Sequence, residues 1–259
     1  MNNNLSIEEN ATVIEIKKSD NKWFLTPVKK ALAEFRMIED GDRIAVGLSG
    51  GKDSSTLFLI LSILQKQLPV SFELVPLCLT LGFENVDISP HEDFVRSLGN
   101  SLHVKHTQIG RIIFDVRQEK NPCSLCANMR RGALYNLAKS LRCNKAALGH
   151  HLDDAFETFL MNIIFNGRIG TFQPKTYLDR RDITVIRPML FLEERSIQRI
   201  VKSKGIPVIN NPCPANRRTK REEMKQLVSS LSEQYPDIRY KFLNAVKNVD
   251  ANDFWNSER

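Results

Sequence analysis

Apolar positions recur along this chain in two rhythms, one near every third or fourth residue and one every second residue or in short runs. From Pro27 to Ile38 the first rhythm places Val28, Ala31, Leu32 and Phe35 on one face and predicts a helix. Asp42-Arg-Ile-Ala-Val-Gly-Leu-Ser49 reads as a short strand running into a glycine turn. Lys52 to Leu68 follows as a helix, and its stretch Leu57 to Leu64 is apolar nearly all round, which predicts burial. Phe72 to Thr80 is a strand, Glu92 to Leu98 a helix, His103 to Ile109 a strand and Ser124 to Leu141 a helix. Lys145 to His150 is a further strand and Asp153 to Phe165 a further helix. Strands alternating with helices predict an α/β fold, a doubly wound parallel sheet covered on both faces. In such sheets ligands bind beyond the carboxyl ends of the strands.

After this alternation, Asn166 to Asp182 is polar, with Gly167, Gly170 and Pro174, and is expected to be a functional or mobile loop. Thr184 to Ile186 reads as one more strand and Glu193 to Lys204 as a helix. Thr219 to Val249 reads as two helices broken at Pro236. Residues 1–22 are polar without a clear period and are expected to be loosely held. The expected organisation is a flexible segment at 1–24, an α/β domain at 25–210 and a small helical C-terminal extension at 211–259.

Composition changes this picture in three places. At 259 residues and 42% hydrophobic, the chain can bury a core without cross-links. No apolar run approaches the roughly 20 residues that cross a bilayer, and the start lacks the features of a signal peptide, so a soluble, intracellular protein is expected. Five cysteines, an odd number, argue against a disulfide framework and for metal or redox work at any clustered pair. The formal net charge of +7 fits a polyanionic partner without requiring one.

The densest chemical signal is Val46-Gly-Leu-Ser-Gly-Gly-Lys-Asp-Ser-Ser55 at a strand-to-helix junction. Gly50 and Gly51 permit a tight turn and close approach of a ligand, Ser49 and Ser54 supply hydroxyls, and Lys52 supplies a cation. The next helix aims its free N–H groups and positive dipole end at the same spot. A plain glycine turn is the competing reading. The Walker pattern fails, because Val46 stands where it needs glycine and Asp53 follows Lys52; no Gly-x-Gly-x-x-Gly occurs either.

The second signal is Asn121-Pro-Cys-Ser-Leu-Cys-Ala-Asn-Met-Arg-Arg131 at a helix start, where thiol pKa values are lowered. Alone, the Cys123/Cys126 pair is open to zinc, a redox disulfide, an Fe–S cluster or coincidence. Structural zinc usually takes four ligands, and no second pair exists here. Cys213, within Asn210-Asn-Pro-Cys-Pro-Ala-Asn216, is the other cysteine in a polar setting, whereas Cys78 and Cys143 sit in or beside apolar strands and are expected to be inert. Three thiolates leave one metal position open, which suits chemistry more than scaffolding.

Ser-Gly-Gly-Lys-Asp-Ser at 49–54 resembles the signature of the PP-loop, or N-type ATP pyrophosphatase, family. The Cys pair with Arg130-Arg131, Ala147-Leu-Gly-His-His-Leu-Asp-Asp154 and Arg187-Pro-Met-Leu190 occur in the order found in the tRNA 2-thiocytidine synthetase family, a resemblance covering roughly residues 25–250. It implies an adenine-nucleotide α-hydrolase fold in which Ser49, Gly50, Gly51, Lys52, Asp53 and Ser54 bind ATP, with Gly149 and His150 beside the nucleotide. It further implies a [4Fe–4S] cluster on Cys123, Cys126 and Cys213, with a fourth iron free to carry a sulfide. The implied reaction adenylates the C2 oxygen of a pyrimidine in tRNA, with cytidine the expected base, and replaces that oxygen with sulfur. The better-known members carry a second Cys-x-x-Cys around the third ligand, whereas here Cys213 stands alone before a basic segment. Related 2-thiouridine enzymes usually add zinc-binding cysteine pairs at their ends, and none is present here.

The same resemblance assigns Asp153 or Asp154 to Mg²⁺ or to a proton near the reacting base, where helix capping is otherwise the favoured reading. Arg130 is assigned to transition-state charge, against a solvated face as the plain alternative, with Arg131 beside it. Arg217-Arg-Thr-Lys-Arg221, with Lys202, Lys204, Arg168 and Lys175, offers a phosphate-binding surface or merely an exposed helix start. The implied partners are tRNA and a sulfur donor, either a cysteine desulfurase or free sulfide, in the cytoplasm and without a membrane; a homodimer is compatible. Competing functions are a PP-loop ligase of the lysidine-forming kind, thiolation of another substrate, and a nucleotide- or redox-sensing protein without turnover.

Overall fold

The computed structural model describes residues 18–84, 86–119, 122–209, 213–214, 220–250 and 252. Among them the chain opens with α1 (Lys18–Asp20), a π-helical turn (Asn21–Leu25) and α2 (Thr26–Glu34). It continues through β1 (Asp42–Leu48), α3 (Lys52–Gln65), β2 (Phe72–Thr80), α4 (Ser89–Ser97) and β3 (His103–His106). Then come α5 (Ile109–Arg111) with a π-helical turn (Ile112–Val116), α6 (Pro122–Ser140), β4 (Lys145–Ala147) and α7 (Leu152–Asn166). The last elements are β5 (Lys175–Leu178), β6 (Ile183–Ile186), α8 (Glu194–Lys204), α9 (Lys220–Gln234) and α10 (Ile238–Lys247).

The strands form one six-stranded sheet in the order β3-β2-β1-β4-β6-β5. β1 pairs in parallel with β2 along its whole length, from Asp42↔Phe72 to Leu48↔Cys78, and on its other side with β4. The chain winds outward through β2 and β3 and then returns to the far side of β1. That reversal opens a crevice beyond the ends of β1 and β4, the place where open α/β sheets hold ligands.

Both faces of the sheet are covered, as parallel strands require. Ile44, Val46 and Leu48 point to one side and join the core made by α2, α3, α4 and α8. Ala45 points to the other side, against Leu134, Tyr135 and Ala138 of α6. Small residues on that side let α6 lie close: a Cβ on Gly47 would stand 3.0 Å from Leu134 Cδ2. The predicted burial of α3 holds, with every residue from Leu57 to Leu61 fully buried. A third cluster joins α7 to α9 and α10, with the Phe242 ring stacked on Phe156 at 4.7 Å and tilted on Phe159 at 5.2 Å.

Four expectations need correction. Residues 18–22 are helical and anchored, since Asp20 is buried and paired with Lys204 at 2.6 Å, while Arg199 lies over the Trp23 ring at 4.6 Å. These are charge and aromatic contacts, which leave no apolar period to read. The segment expected to be a loop contains β5, which pairs antiparallel with β6 in register Lys175↔Ile186 to Leu178↔Ile183. α2 stops at Glu34 because Arg36 turns to a φ of +45°, which sends Met37 into the core. β3 ends at His106, and the chain from Ile109 to Val116 coils instead of extending. The predicted helix start at Thr219 falls outside the described residues.

Truncating the Phe242 ring tests how far the C-terminal helices depend on α7. Phe242→Ala should cost about 3–5 kcal/mol, the usual penalty for losing a buried ring. Hydrogen exchange should accelerate in α9 and α10 while the β1 and β2 amides stay protected. Equal loss of protection in β1 would show that helices and sheet unfold as one unit.

Candidate active site

The glycine loop follows β1 directly and passes into α3. Gly50 has a φ of +83°, a conformation that side chains rarely adopt, and a Cβ there would stand 3.1 Å from Ile209 Cβ. Ser54 staples the loop from inside: its Oγ accepts from the Ser49 N–H at 3.0 Å and donates to the Gly51 carbonyl at 3.0 Å. Ser49 Oγ stands 3.2 Å from the same hydroxyl. Gly51 occupies the N-cap of α3 and no side chain caps that end. The first N–H groups of a buried helix therefore face the crevice, an arrangement suited to an anion.

Lys52 is held between carboxylates, 2.9 Å from Asp53 and 3.0 Å from Glu194. Burial works against its charge, but Asp53 and Glu194 outweigh burial and hold its pKa above the usual lysine value. Glu194 also binds Lys225 of α9 at 2.8 Å. Burial alone would raise the Glu194 pKa, yet Lys225 and Lys52 bring it down to about 2.

The end of β4 closes the crevice from the other side. A Cβ on Gly149 would come within 3.0 Å of the Asp53 carbonyl carbon and 3.1 Å of the Ser54 nitrogen, so only glycine lets this strand end touch the first turn of α3. His150 is brought down to a pKa of about 4, chiefly by burial, with Arg187 adding to the effect and Asp154 opposing it. It is therefore neutral, and its Nδ1 accepts from Arg187 Nε at 3.3 Å while its ring lies 4.9 Å from Phe172. His151 is buried, with Nε2 3.4 Å from Asp154 and 3.7 Å from Asp53.

The two aspartates that follow differ in their surroundings. Asp153 is buried and both oxygens are engaged, one by the Glu194 N–H at 2.7 Å and one by Arg239 Nε at 2.5 Å. Asp154 is partly exposed; its Oδ2 accepts from the His151 N–H at 3.0 Å and so caps α7. One turn later stands Glu157, to which the sequence reading gave no role. It is buried 3.3 Å from Arg221, and its pKa is pushed up to about 7 by burial first and then by Asp154, with Arg221 opposing. Its only signal in the sequence was a carboxylate one turn beyond the Asp-Asp pair.

At the head of α6, Cys123 is exposed and Cys126 half-buried; Cys213 is half-buried as well, and none of the five cysteines forms a disulfide. Burial pushes the Cys126 thiol up, Arg130 opposes this, and Cys213 and Cys123 add to it. The three thiols and Arg130 thus share one neighbourhood, although 87 residues of chain separate Cys126 from Cys213. Cys78 and Cys143 are buried in the core, as expected. Among the described residues no three His, Cys, Asp or Glu side chains are grouped as a site for a single metal ion would need. A donor set of three thiols does suit an iron–sulfur cluster, which spreads its ligands over several irons.

The chain ties this neighbourhood to the glycine loop. The Ile209 N–H donates to the Gly50 carbonyl at 2.8 Å. Only four residue steps lead from Ile209 to Cys213, and a fully extended chain covers roughly 14 Å in four steps. Of the predicted basic segment, Lys220 and Arg221 are described, with Lys220 on Glu223 and Arg221 on Glu157; Arg217 and Arg218 lie outside the described residues. Among the described residues no helix is long and apolar enough to cross a membrane.

Comparison with known proteins agrees with this geometry. The PP-loop domain family matches residues 24–247. The tRNA-cytidine(32) 2-sulfurtransferase of Pelobacter propionicus is 43% identical over 225 residues, covering 86% of this chain and 84% of the relative. That of Syntrophotalea carbinolica is 40% identical, covering 85% of this chain and 86% of the relative. Among solved structures, the U34-tRNA thiolase NcsA from Methanococcus maripaludis, with its [4Fe-4S] cluster, superposes with a TM-score of 0.69 at 22% identity, covering 87% of this chain and 79% of that one, and so shares the fold. The doubly wound sheet, the uncapped glycine loop at its switch point and these relatives agree: the chain belongs to the PP-loop family, in the branch of the tRNA-cytidine(32) 2-sulfurtransferases.

Proposed function

We propose that this protein is an ATP-dependent tRNA sulfurtransferase that adenylates the C2 oxygen of a cytidine, position 32 in the relatives' naming, and replaces that oxygen with sulfur. The observation that carries this reading is the Ile209–Gly50 hydrogen bond, which sets the approach to Cys213 on the phosphate loop itself. One crevice thereby serves both nucleotide and thiols. A lysidine-forming ligase needs the first and has no use for the second.

The chemistry follows from a poor leaving group. An amide-like oxygen leaves badly until it is esterified, so C2–O first attacks the α-phosphorus of ATP. An O–P bond forms there as the bond to pyrophosphate breaks. The α3 N-terminus and the hydroxyls of Ser49 and Ser54 hold the departing pyrophosphate. Lys52 turns from Glu194 to the phosphates, and Glu194 keeps Lys225 as its partner. Arg130, which forms no ion pair among the described residues, faces the thiols and offers its cation to charge developing nearby. A [4Fe–4S] cluster held by Cys123, Cys126 and Cys213 supplies, when bound, the sulfur that ends on C2 as AMP departs.

Of the two aspartates, Asp153 serves as a positioning residue, because its oxygens already join α8 to α10. Asp154 is the one with capacity for Mg²⁺, which is commonly held by one or two carboxylates together with substrate phosphates. Gly149 and His150 shape the wall beside the nucleotide. In this reading residues 25–210 carry the ATP chemistry and 211–259 close the site and bring the third thiol. The sulfur comes from a cysteine desulfurase or free sulfide, and the place of action is the cytoplasm, where tRNA is found.

Anaerobically purified protein given ATP, sulfide and unmodified tRNA should release AMP and pyrophosphate and yield 2-thiocytidine on nucleoside mass spectrometry. Cys213→Ala should abolish the thionucleoside while ATP still binds, and Lys52→Ala should slow turnover about 10²–10³-fold, as loss of one preorganised charge contact does. Pyrophosphate release with no sulfur in the RNA, from protein carrying its full iron content, would turn the assignment towards a ligase.

Glu157 generates a second prediction. Its ionisation costs more in the fold than in the unfolded chain, so between 4.5 and about 7 the folded protein binds the extra proton. The Glu157 contribution to stability therefore falls as pH rises through that window, against an opposite contribution from His150, which is buried neutral and favours the fold as pH rises towards 6.5. Between pH 4.5 and pH 7 the melting temperature of Glu157→Gln should therefore climb with pH more steeply than that of the wild type. An unchanged slope in that variant would place the titrating group elsewhere.

A further inference from the structure

The sheet edge next to the site carries a cluster of arginines that the chemistry above does not use. Arg131 extends from α6 and bonds Asn128 Oδ1 at 2.5 Å. Arg181, from the turn before β6, reaches across to α6, where it bonds Asn136 Oδ1 and lies 3.6 Å from the position a Cβ on Gly132 would take. Arg187 follows β6 and is held by the Gln173 carbonyl at 2.6 Å, by His150 Nδ1 at 3.3 Å and over the Phe172 ring at 5.0 Å. All three lie within electrostatic reach of Tyr135, whose pKa burial raises and these three cations lower.

None of the three has a carboxylate partner among the described residues, and their partners are neutral amides, a carbonyl, an imidazole and a ring. Several cations elsewhere on the surface do have carboxylate partners, among them Lys139 with Asp182, Arg96 with Asp93, Arg195 with Glu193 and Lys220 with Glu223. Neutral ties fix where the guanidinium groups point and leave their charge uncompensated. Arg187 registers the cost, since burial first and Arg131 second lower its pKa. An incoming anion relieves that repulsion, and planar guanidinium forks match phosphate oxygens in pairs.

The cluster also has a direction. Its inner member, Arg187, bonds His150, which follows the Gly149 that presses on the phosphate loop. Its outer members, Arg131 on α6 and Arg181 in the turn that follows the edge strand β5, are exposed. A row of cations leading from solvent to the nucleotide wall suits a chain of phosphates, and ATP already has its own cradle in the loop.

We propose that Arg131, Arg181 and Arg187 bind the sugar–phosphate backbone of the RNA strand next to the target base, and so decide which nucleotide enters the crevice. This rests on the tRNA reading above and makes the three arginines positioning residues, not catalytic ones.

The test measures binding of an unmodified tRNA transcript with cytidine at position 32 by fluorescence anisotropy over a range of salt, with ATP binding followed in parallel. Arg131→Gln and Arg181→Gln, both at exposed positions, should each weaken RNA binding about five- to tenfold and reduce the slope of log K against log salt by about 0.7 per lost phosphate contact. Thiolation should show a raised KM for tRNA with kcat kept, ATP affinity should hold, and Arg96→Gln should behave as wild type. If wild type binds and thiolates the tRNA while both variants match it in affinity and salt slope, the cradle is wrong and the function stands. Loss of ATP affinity instead would assign the cluster to the nucleotide and overturn the proposal. A wild type that neither binds nor modifies tRNA overturns the functional reading, and the cradle falls with it.

Discussion

The contact between the end of β4 and the first turn of α3 sets the geometry on which the rest depends. Gly149 meets the backbone of Asp53 and Ser54 at a separation that no side chain permits. That closeness places the uncapped start of α3 beside the His150-His151-Leu152-Asp153-Asp154 turn. It therefore sets phosphate-binding N–H groups, a neutral histidine and a partly exposed carboxylate around one crevice. The topology demands the contact: β4 returns next to β1 after the chain has wound away through β2 and β3, so the two strand ends must share one rim. A larger residue at 149 would push that rim apart by pressing on the Asp53 and Ser54 backbone.

A relay of charges spreads from this rim to the C-terminal helices. Lys52 holds Glu194, Glu194 holds Lys225, Asp153 joins the Glu194 backbone to Arg239, and Arg221 sits by Asp154 and Glu157. Three cations from α9 and α10 thus neutralise carboxylates that would otherwise crowd an anionic ligand. Partly buried pairs of this kind are costly to break singly, because the remaining charge keeps its desolvation penalty. The small extension is consequently part of the electrostatics of the loop as well as a cover for α7. Apolar packing adds to these charges, through Val228 and through the Phe242 ring on Phe156 and Phe159.

Much of the fold was legible because parallel strands are buried on both faces and their helices carry apolar stripes. β2 was delimited as Phe72–Thr80 from its apolar run, and the α3 burial from a run with no polar face. Elements held by other forces escaped. The 18–25 turns rest on Asp20–Lys204 and Trp23–Arg199, and β5 is a short edge strand with polar positions. In the site, the loop was readable because glycines and hydroxyls are a local requirement. The division of labour between Asp153 and Asp154 was not, since Glu194 and Arg239 lie 41 and 86 residues away in the chain. Nor was Glu157, whose character comes from burial that sequence does not display.

The same distinction explains the third cysteine. Cys123 and Cys126 announce themselves by spacing, because one helical turn brings both thiols to one side. Cys213 has no neighbour to form a motif, and its place follows from two long-range facts. The Cys126 thiol senses its charge, and the chain four residues earlier is hydrogen-bonded to Gly50. In the proposed function, the Ile209–Gly50 contact would take the place of a paired motif, because it fixes on the glycine loop the point from which the chain sets out towards Cys213.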